Sequence, residues 1–204
     1  DPMISEWIGR DFKYFSRKSR PPVKKLISID CQHRAFPFER RPYLKSKSIG
    51  PRCTTYKDAK FTWVDYYSGQ CMVRWNFSEE SGEIWSADAH LLYEVCYLLI
   101  LSRTGEWLDY QGIHRLHASA VATNGRATLV VMPSGGGKST LAMGLMSEPS
   151  FEFMSDDMPL VQSDGEVLAF PSRLGLLALP TEMQNPKYAR QVHRREHGSK
   201  WLVD

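Results

Sequence analysis

The chain has 204 residues, of which 42% are hydrophobic and 12% aromatic, so it can bury a sizeable core and wholesale disorder is excluded. The length fits one domain, or a large domain with an appendage, and excludes two full-size domains. The 26 basic and 23 acidic side chains leave a net charge of +3, which is too small to indicate a nucleic-acid-binding protein by itself.

The basic excess lies in the first quarter of the chain. Residues 1–50 hold 12 Lys and Arg against 5 Asp and Glu, a local balance of +7. This segment is either a solvated or salt-bridged region, or an electropositive face for an acidic partner. We expect nucleic acid to be the weakest candidate. An edge strand near residues 61–77, or the basic N-terminal quarter, is the candidate groove for a peptide; in the second case, substitution of Lys24 and Lys25 by Glu should weaken peptide binding.

The cysteine pattern indicates free thiols. Cys31, Cys53, Cys71 and Cys96 form no CxxC pair, and no apolar signal-peptide core precedes them. Buried thiols in a reducing cytosol are therefore expected, which predicts a cytoplasmic protein. The longest mostly apolar run, residues 91–101, is too short to span a bilayer and contains Glu94, so no membrane partner is predicted.

The first half of the sequence predicts a β-rich region with one buried helix. Residues 26–29 are a strand candidate, and residues 60–77 form two β-rich runs around Ser68-Gly69, which is typical of a hairpin. Residues 86–103 carry apolar side chains at helical spacing, with Ser86 as the expected N-cap. We assign residues 1–110 to this region.

The second half, residues 111–204, predicts an α/β (α+β mixed) core. Residues 128–132 are a continuous apolar run, as expected of a strand that is buried on both faces. Asn124-Gly125 predicts the turn before it. The elements expected after it are a helix at residues 141–146, a strand at 151–154, a hairpin at 158–170 with Asp164-Gly165 at its turn, and a strand at 174–179.

A glycine-rich loop lies between the predicted strand and helix. The backbone N–H groups of such a loop point at phosphate oxygens, and the following helix adds its positive end. Lys138 is predicted to reach the β- and γ-phosphates, and the Ser139 hydroxyl to bind Mg²⁺. The predicted nucleotide-binding residues are Ser134, Gly135, Gly136, Gly137, Lys138, Ser139 and Thr140.

Two further elements complete the predicted site. Asp156-Asp157 follows the strand that returns the chain to the loop after one helix. Adjacent carboxylates on an extended segment point in different directions, so one is expected to face the metal and the other the reacting hydroxyl. His117 precedes the loop strand and is either a functional or a structural histidine.

These residues resemble the kinase domain of HPr kinase/phosphorylase and its relatives. The elements His117-Ala118-Ser119, Ser134 to Ser139 and Ser155-Asp156-Asp157 follow one another in the order and near the spacing of that family. The resemblance covers about residues 110–180 and implies a P-loop core like that shared with phosphoenolpyruvate carboxykinase. It implies ATP or GTP and Mg²⁺ as cofactors, and a homo-oligomer.

The resemblance also implies roles. Asp156 would take the proton from a serine hydroxyl, Asp157 would lie nearer the metal with Ser139, and His117 would contact the reacting phosphate. The expected activity is transfer of the γ-phosphate to a serine of a peptide or small protein, such as a precursor peptide of a lasso-peptide pathway.

Several features depart from the family pattern. Met132-Pro133 replaces the usual glycine and polar residue, and the later family signatures are not evident after residue 180. Truncation of the kinase core at its C-terminus is therefore an open expectation. Two alternative functions remain: a small-molecule phosphotransferase, acting on free serine or carboxykinase-like, and a non-catalytic nucleotide-binding regulatory module.

Overall fold

The chain divides into two units, Asp1–Thr104 and Gly105–Asp204, each described here by itself from a computed structural model. The described residues are 1–16, 27–37, 46–133, 135–179, 189–194 and 198–203. Lys24, Lys25 and Ser134, which the sequence analysis singled out, lie outside them.

The first unit consists of one sheet and its helices. Its elements are α1 (Pro2–Asp11), a short 3-10 helix (Lys13–Phe15), β1 (Ser28–Gln32), β2 (Ser46–Ile49), β3 (Cys53–Lys57), β4 (Thr62–Tyr66), β5 (Cys71–Asn76), β6 (Ser81–Ser86) and the start of α2 (Ala89–Tyr110). The sheet has the order β1-β6-β5-β4-β3-β2. Its pairs are antiparallel except β1 with β6, which is parallel. The pairing of β4 with β5 confirms the predicted hairpin.

Side chains of β5 alternate between two apolar clusters, as the two-residue period of a strand requires. Cys71, Val73 and Trp75 pack with residues of α1 and α2, whereas Met72 packs on the opposite face with Phe36 and two tryptophans. Burial on both faces therefore fixes the register of this strand. Helix α1 was not predicted, although Met3, Ile4, Trp7 and Ile8 have the spacing of one helix face and pack in the core.

The N-cap of α2 differs from the prediction. Asp88 rather than Ser86 caps the helix, since its Oδ1 accepts hydrogen bonds from the backbone N–H groups of His90 (2.9 Å) and Leu91 (3.2 Å). The Ser86 hydroxyl instead donates to the carbonyl oxygen of Gln70 at 2.8 Å. The predicted helix at 86–103 is thus confirmed as a helix, but it begins later, at Ala89, and ends later, at Tyr110.

The described residues of the second unit form three small sheets and one short helix besides the end of α2. Its elements are β7 (Ile113–Arg115), β8 (Ser119–Thr123), β9 (Arg126–Val130), α3 (Lys138–Met146), β10 (Glu152–Ser155), β11 (Leu160–Gln162), β12 (Val167–Leu168), β13 (Leu174–Leu176), β14 (Ala189–Arg194) and β15 (Gly198–Val203). The sheets have the orders β10-β8-β9, β12-β11-β7 and β13-β15-β14. The pairing of β11 with β12 confirms the predicted hairpin at 158–170.

The β10-β8-β9 sheet brings three chain segments to one edge. Strand β8 is antiparallel to both β9 and β10, so β9 and β10 run in the same direction. The carboxyl ends of these two outer strands and the amino end of β8 therefore lie at the same edge of the sheet. The glycine-rich loop leaves β9 there, and Asp156-Asp157 leaves β10 there.

The predicted fold class, an α/β P-loop nucleotide-binding core, is wrong. Strand accounts for 39% and helix for 26% of the described residues, in several antiparallel sheets. Each strand pair described in the second unit is antiparallel. The strand–loop–helix signal is local and occurs once, whereas a P-loop core requires repeated crossover units that build a parallel sheet. The result is a β-rich fold.

Strand β9 was also predicted wrongly. It forms an edge of its sheet, and Arg126, Ala127 and Thr128 are exposed, as is Val131 directly after it. An apolar run was interpreted as burial on both faces, but sequence alone cannot show which strands flank it. Strands β14 (Ala189–Arg194) and β15 (Gly198–Val203) pair antiparallel where no terminal element was predicted.

Candidate functional site

The glycine-rich loop has a backbone conformation that its glycines permit. Gly135 and Gly137 have φ values of 78° and 91°, in the left-handed region that favours glycine. Gly136 is favoured for another reason, since a Cβ there would be crowded, 3.0 Å from both the Met132 Cβ and the Pro133 carbonyl oxygen. All three consecutive glycines thus suit the shape of the turn, two by their φ values and one by the space around it.

Helix α3 begins at Lys138, directly after this turn. Its N-cap is Gly137, which offers no side chain to the first-turn N–H groups. These groups and the positive end of the helix dipole are the features that attract phosphate. Gly135, Gly136, Gly137 and Thr140 are exposed, and Lys138 and Ser139 are half-buried.

Asp156 is the buried member of the acidic pair, with 6% of its surface exposed. Its Oδ2 accepts hydrogen bonds from the Ser139 hydroxyl (3.0 Å) and from the backbone N–H of Gly175 (3.2 Å). Its Oδ1 lies 3.1 Å from the Ser119 hydroxyl, which also donates to the Asp156 carbonyl oxygen at 2.8 Å. Three donors from three segments therefore orient this carboxylate.

Asp157 points away from Asp156 and is exposed. Its Oδ1 lies 2.8 Å from Nδ1 of His117, and both side chains are more than three-fifths exposed. The other ring nitrogen of His117, Nε2, lies 3.3 Å from Nζ of Lys138. Because an ammonium group only donates, Nε2 is the acceptor there, and the neutral tautomer with its proton on Nδ1 satisfies both contacts.

Lys138 has a second partner within the loop. Its Nζ donates to the Met132 carbonyl oxygen at 2.9 Å. Met132 occupies the position where the usual motif has its first glycine. The acceptor is a backbone carbonyl, which either residue supplies, so the departure from the motif does not remove this partner of Lys138. Both contacts of Lys138 are of a kind that phosphate oxygens can replace.

The structure brings together the predicted residues His117, Lys138, Ser139, Asp156 and Asp157. They lie in one unit, at the sheet edge where the glycine loop begins. The prediction that the two aspartates point in different directions is confirmed. Sequence reasoning missed two partners of Asp156, namely Ser119 and Gly175. Ser119 belongs to the His-Ala-Ser element, but its spacing alone gives no sign of a contact with Asp156.

The oxygen donors of this site, the Ser139 hydroxyl and the Asp156 carboxylate, are of the kind that Mg²⁺ binds. No cluster of three or more His, Cys, Asp or Glu residues that could hold a metal occurs among the described residues. Mg²⁺ does not need such a cluster, since it is commonly held by one or two protein oxygens together with phosphates and water. The Ser139 hydroxyl beside the Asp156 carboxylate is a fitting pair of oxygen donors at the mouth of the loop.

Comparison with protein-family models, curated proteins and solved structures finds no match to this chain. Among the described residues, no helix is both long enough and apolar enough to cross a membrane.

Proposed function

We propose that the second unit binds a Mg²⁺–nucleoside triphosphate and transfers its γ-phosphate to a serine hydroxyl of a peptide or small protein. The observation that carries this proposal is the hydrogen bond between Ser139, at the start of α3, and Asp156, at the end of β10. It joins a phosphate-binding turn to a carboxylate at the position where a metal bound to the phosphates needs its oxygen ligands. The β-rich fold does not weaken this argument, because function resides in the site.

The loop and Lys138 bind the phosphates in this proposal. The N–H groups of Gly135 and of residues 137–139 face the phosphate oxygens, whereas the Gly136 N–H is already donated to the Pro133 carbonyl oxygen at 2.9 Å. Lys138 exchanges its contacts with Met132 and His117 for the β- and γ-phosphates. Mg²⁺, when bound, neutralises charge on the phosphates. Ser139 and Asp156 are the residues that would hold it.

The geometry favours a different division of roles from the one the resemblance implied. Asp156 is buried and contacts Ser139, so in this proposal it is a ligand for the metal rather than the base. Asp157 and His117 are exposed to an incoming acceptor, and Asp157 orients His117 as the carboxylate of a catalytic triad orients its histidine. Once Lys138 turns to the phosphates, Nε2 of His117 is free to accept a proton.

The reaction then balances as follows. The acceptor oxygen bonds to the γ-phosphorus while the bond from that phosphorus to the β–γ bridging oxygen breaks. The hydroxyl proton passes to Nε2 of His117, which then releases a proton to solvent, and the nucleoside diphosphate is the leaving group. Positioning and charge neutralisation supply most of the rate enhancement in such transfers.

Titration calorimetry with Mg·ATP and Mg·GTP, followed by mass spectrometry of serine-containing peptides, tests the proposal. Lys138→Met is expected to lower the transfer rate by about 10²–10³-fold. Lys60→Met is the matched control, since the Lys60 side chain is 60% exposed and pairs with Glu79 at 3.4 Å in the other unit. Absence of nucleotide binding by the unaltered protein would refute the proposal.

The assay also separates the alternatives. Nucleotide binding without turnover on any acceptor identifies a regulatory module. Transfer to free serine or another small molecule, with none to peptides, identifies a small-molecule phosphotransferase. Both outcomes overturn the peptide-kinase proposal while retaining the nucleotide site.

A further inference from the structure

The Ser119 hydroxyl is in contact with the candidate metal carboxylate and has no role in the proposed reaction. Ser119 is 1% exposed. Its hydroxyl lies 2.8 Å from the carbonyl oxygen and 3.1 Å from Oδ1 of Asp156, so one buried side chain contacts the backbone and the carboxylate of the same residue. The remaining oxygen, Oδ2, is left to Ser139 and Gly175.

A β-bulge sets Ser119 opposite Asp156. Phe153 pairs with Val121 and Ser155 with Ala120, so two steps along β10 correspond to one along β8 and Met154 is the extra residue. Asp156 is the next residue, in the bend that follows β10, and extending the shifted register by one residue brings it to Ser119, which it contacts. Without the bulge, the same extension would bring Asp156 to Ala118, which has no side-chain donor. Bulges commonly redirect a side chain next to a functional site.

On the other side, Ser119 is tied to the strand that carries the loop. It pairs with Val130, the last residue of β9 before the loop. Ser119 therefore contacts both segments from the central strand of the sheet. Its backbone pairs with the end of β9, and its hydroxyl contacts Asp156 after β10. The carboxylate cannot rotate about its χ angles without losing the Ser119 contact.

We infer that Ser119 is the positioning residue that holds Asp156 in the orientation needed for Mg²⁺, an inference that rests on the proposed function. Residues that orient a metal-binding carboxylate typically change metal affinity by about 10- to 100-fold when they are removed. Ser119→Ala is expected to weaken metal binding by that factor while leaving the affinity for metal-free nucleotide unchanged, because the loop and Lys138 are intact.

The test uses Mn²⁺ as a spectroscopic substitute for Mg²⁺. Electron paramagnetic resonance measures Mn²⁺ affinity in the presence of ATP, and calorimetry measures ATP affinity with the metal chelated. Ser119→Thr keeps a hydroxyl and should restore affinity. Ser119→Cys keeps the shape with a much weaker donor and should lose affinity even where Ser119→Ala fails to fold.

The control is Ser86→Ala in the first unit. Ser86 is also fully buried, and its hydroxyl also donates to a backbone carbonyl, that of Gln70. It should cost stability without changing Mn²⁺ affinity. Unchanged Mn²⁺ affinity in folded Ser119→Ala and Ser119→Cys overturns the inference alone. Failure of the unaltered protein to bind Mn²⁺ with ATP overturns both the inference and the proposed function.

Discussion

The buried carboxylate of Asp156 allows its structural and functional contributions to be separated by two substitutions. In Asp156→Asn, the amide oxygen can take the place of Oδ2 and accept from Ser139 and Gly175. The amide nitrogen then takes the place of Oδ1 and donates to Ser119, whose own proton goes to the carbonyl oxygen of residue 156. The three original donors stay paired, and one of the two new amide N–H groups is left over, so the expected stability loss is about 1 kcal/mol.

Asp156→Ala removes both side-chain oxygens. Ser119 keeps its carbonyl partner, but the Gly175 N–H and the Ser139 hydroxyl lose theirs. A buried donor left without a partner costs about 1–3 kcal/mol, so the loss is about 2–4 kcal/mol, depending on how far water reaches Ser139. For a unit of this size, about 2 kcal/mol lowers the melting temperature by on the order of 10 °C.

Hydrogen-exchange mass spectrometry on peptides of the second unit, together with thermal melting, measures these losses. Both substitutions are expected to weaken Mg·ATP binding, because both remove the carboxylate charge. The result that would refute the reasoning is equal destabilisation by the two substitutions, or full Mg·ATP affinity in Asp156→Asn. The first would contradict the hydrogen-bond pattern, and the second the metal role.

Three further predictions concern the first unit. Gly82→Ala should destabilise it by about 1–3 kcal/mol, because a Cβ would overlap the Arg74 carbonyl oxygen and the Trp75 ring on the facing strand. Gly9→Ala has open space around it and should stabilise α1 by about 0.5–1 kcal/mol. Denaturant unfolding followed by tryptophan fluorescence measures both changes. Burial raises the pKa of Tyr66 to about 12. The contribution of its neutral phenol to stability is therefore complete below pH 10 and is lost as the pH rises towards 12. Because Phe does not ionise, the pH midpoint of alkaline unfolding should shift upwards in Tyr66→Phe, and an unchanged midpoint would contradict this. A hydrogen bond from Cys96 lowers the pKa of the Cys31 thiol, and the same contact together with burial raises the pKa of Cys96. Iodoacetamide labelling read by mass spectrometry should therefore modify Cys31 before Cys96. Faster labelling of Cys96 would contradict this.

Apart from the N-cap of α2, the hairpins and the helix predicted from local patterns agreed with the structure. The β4–β5 hairpin and the β11–β12 hairpin were indicated by turn residues between β-rich runs, and helix α2 by its apolar spacing. Such signals are contained within a few consecutive residues. The turn at Asn124-Gly125 also has positive φ at both positions, which these residue types tolerate best.

Predictions that depend on distant neighbours failed. Strand β9 was expected to be buried on both faces, and it is an exposed edge. The strand–loop–helix segment suggested an α/β core, and the chain instead forms small antiparallel sheets. Hydrophobicity reports that a strand can be buried, whereas its position in a sheet depends on which other strands pair with it.

The sequence alone determined the glycine loop with its lysine and serine, the adjacent aspartates and the histidine that precedes them. It also predicted that the two aspartates diverge, on the expectation of an extended segment, whereas residues 156–157 form a bend directly after β10. The tertiary structure decided which one turns inwards. The bulge at Met154 sets Asp156 opposite Ser119 and beside Ser139, and leaves Asp157 to His117. That choice depends on the register between β8 and β10, which is fixed by packing across the sheet and is not encoded in either segment by itself.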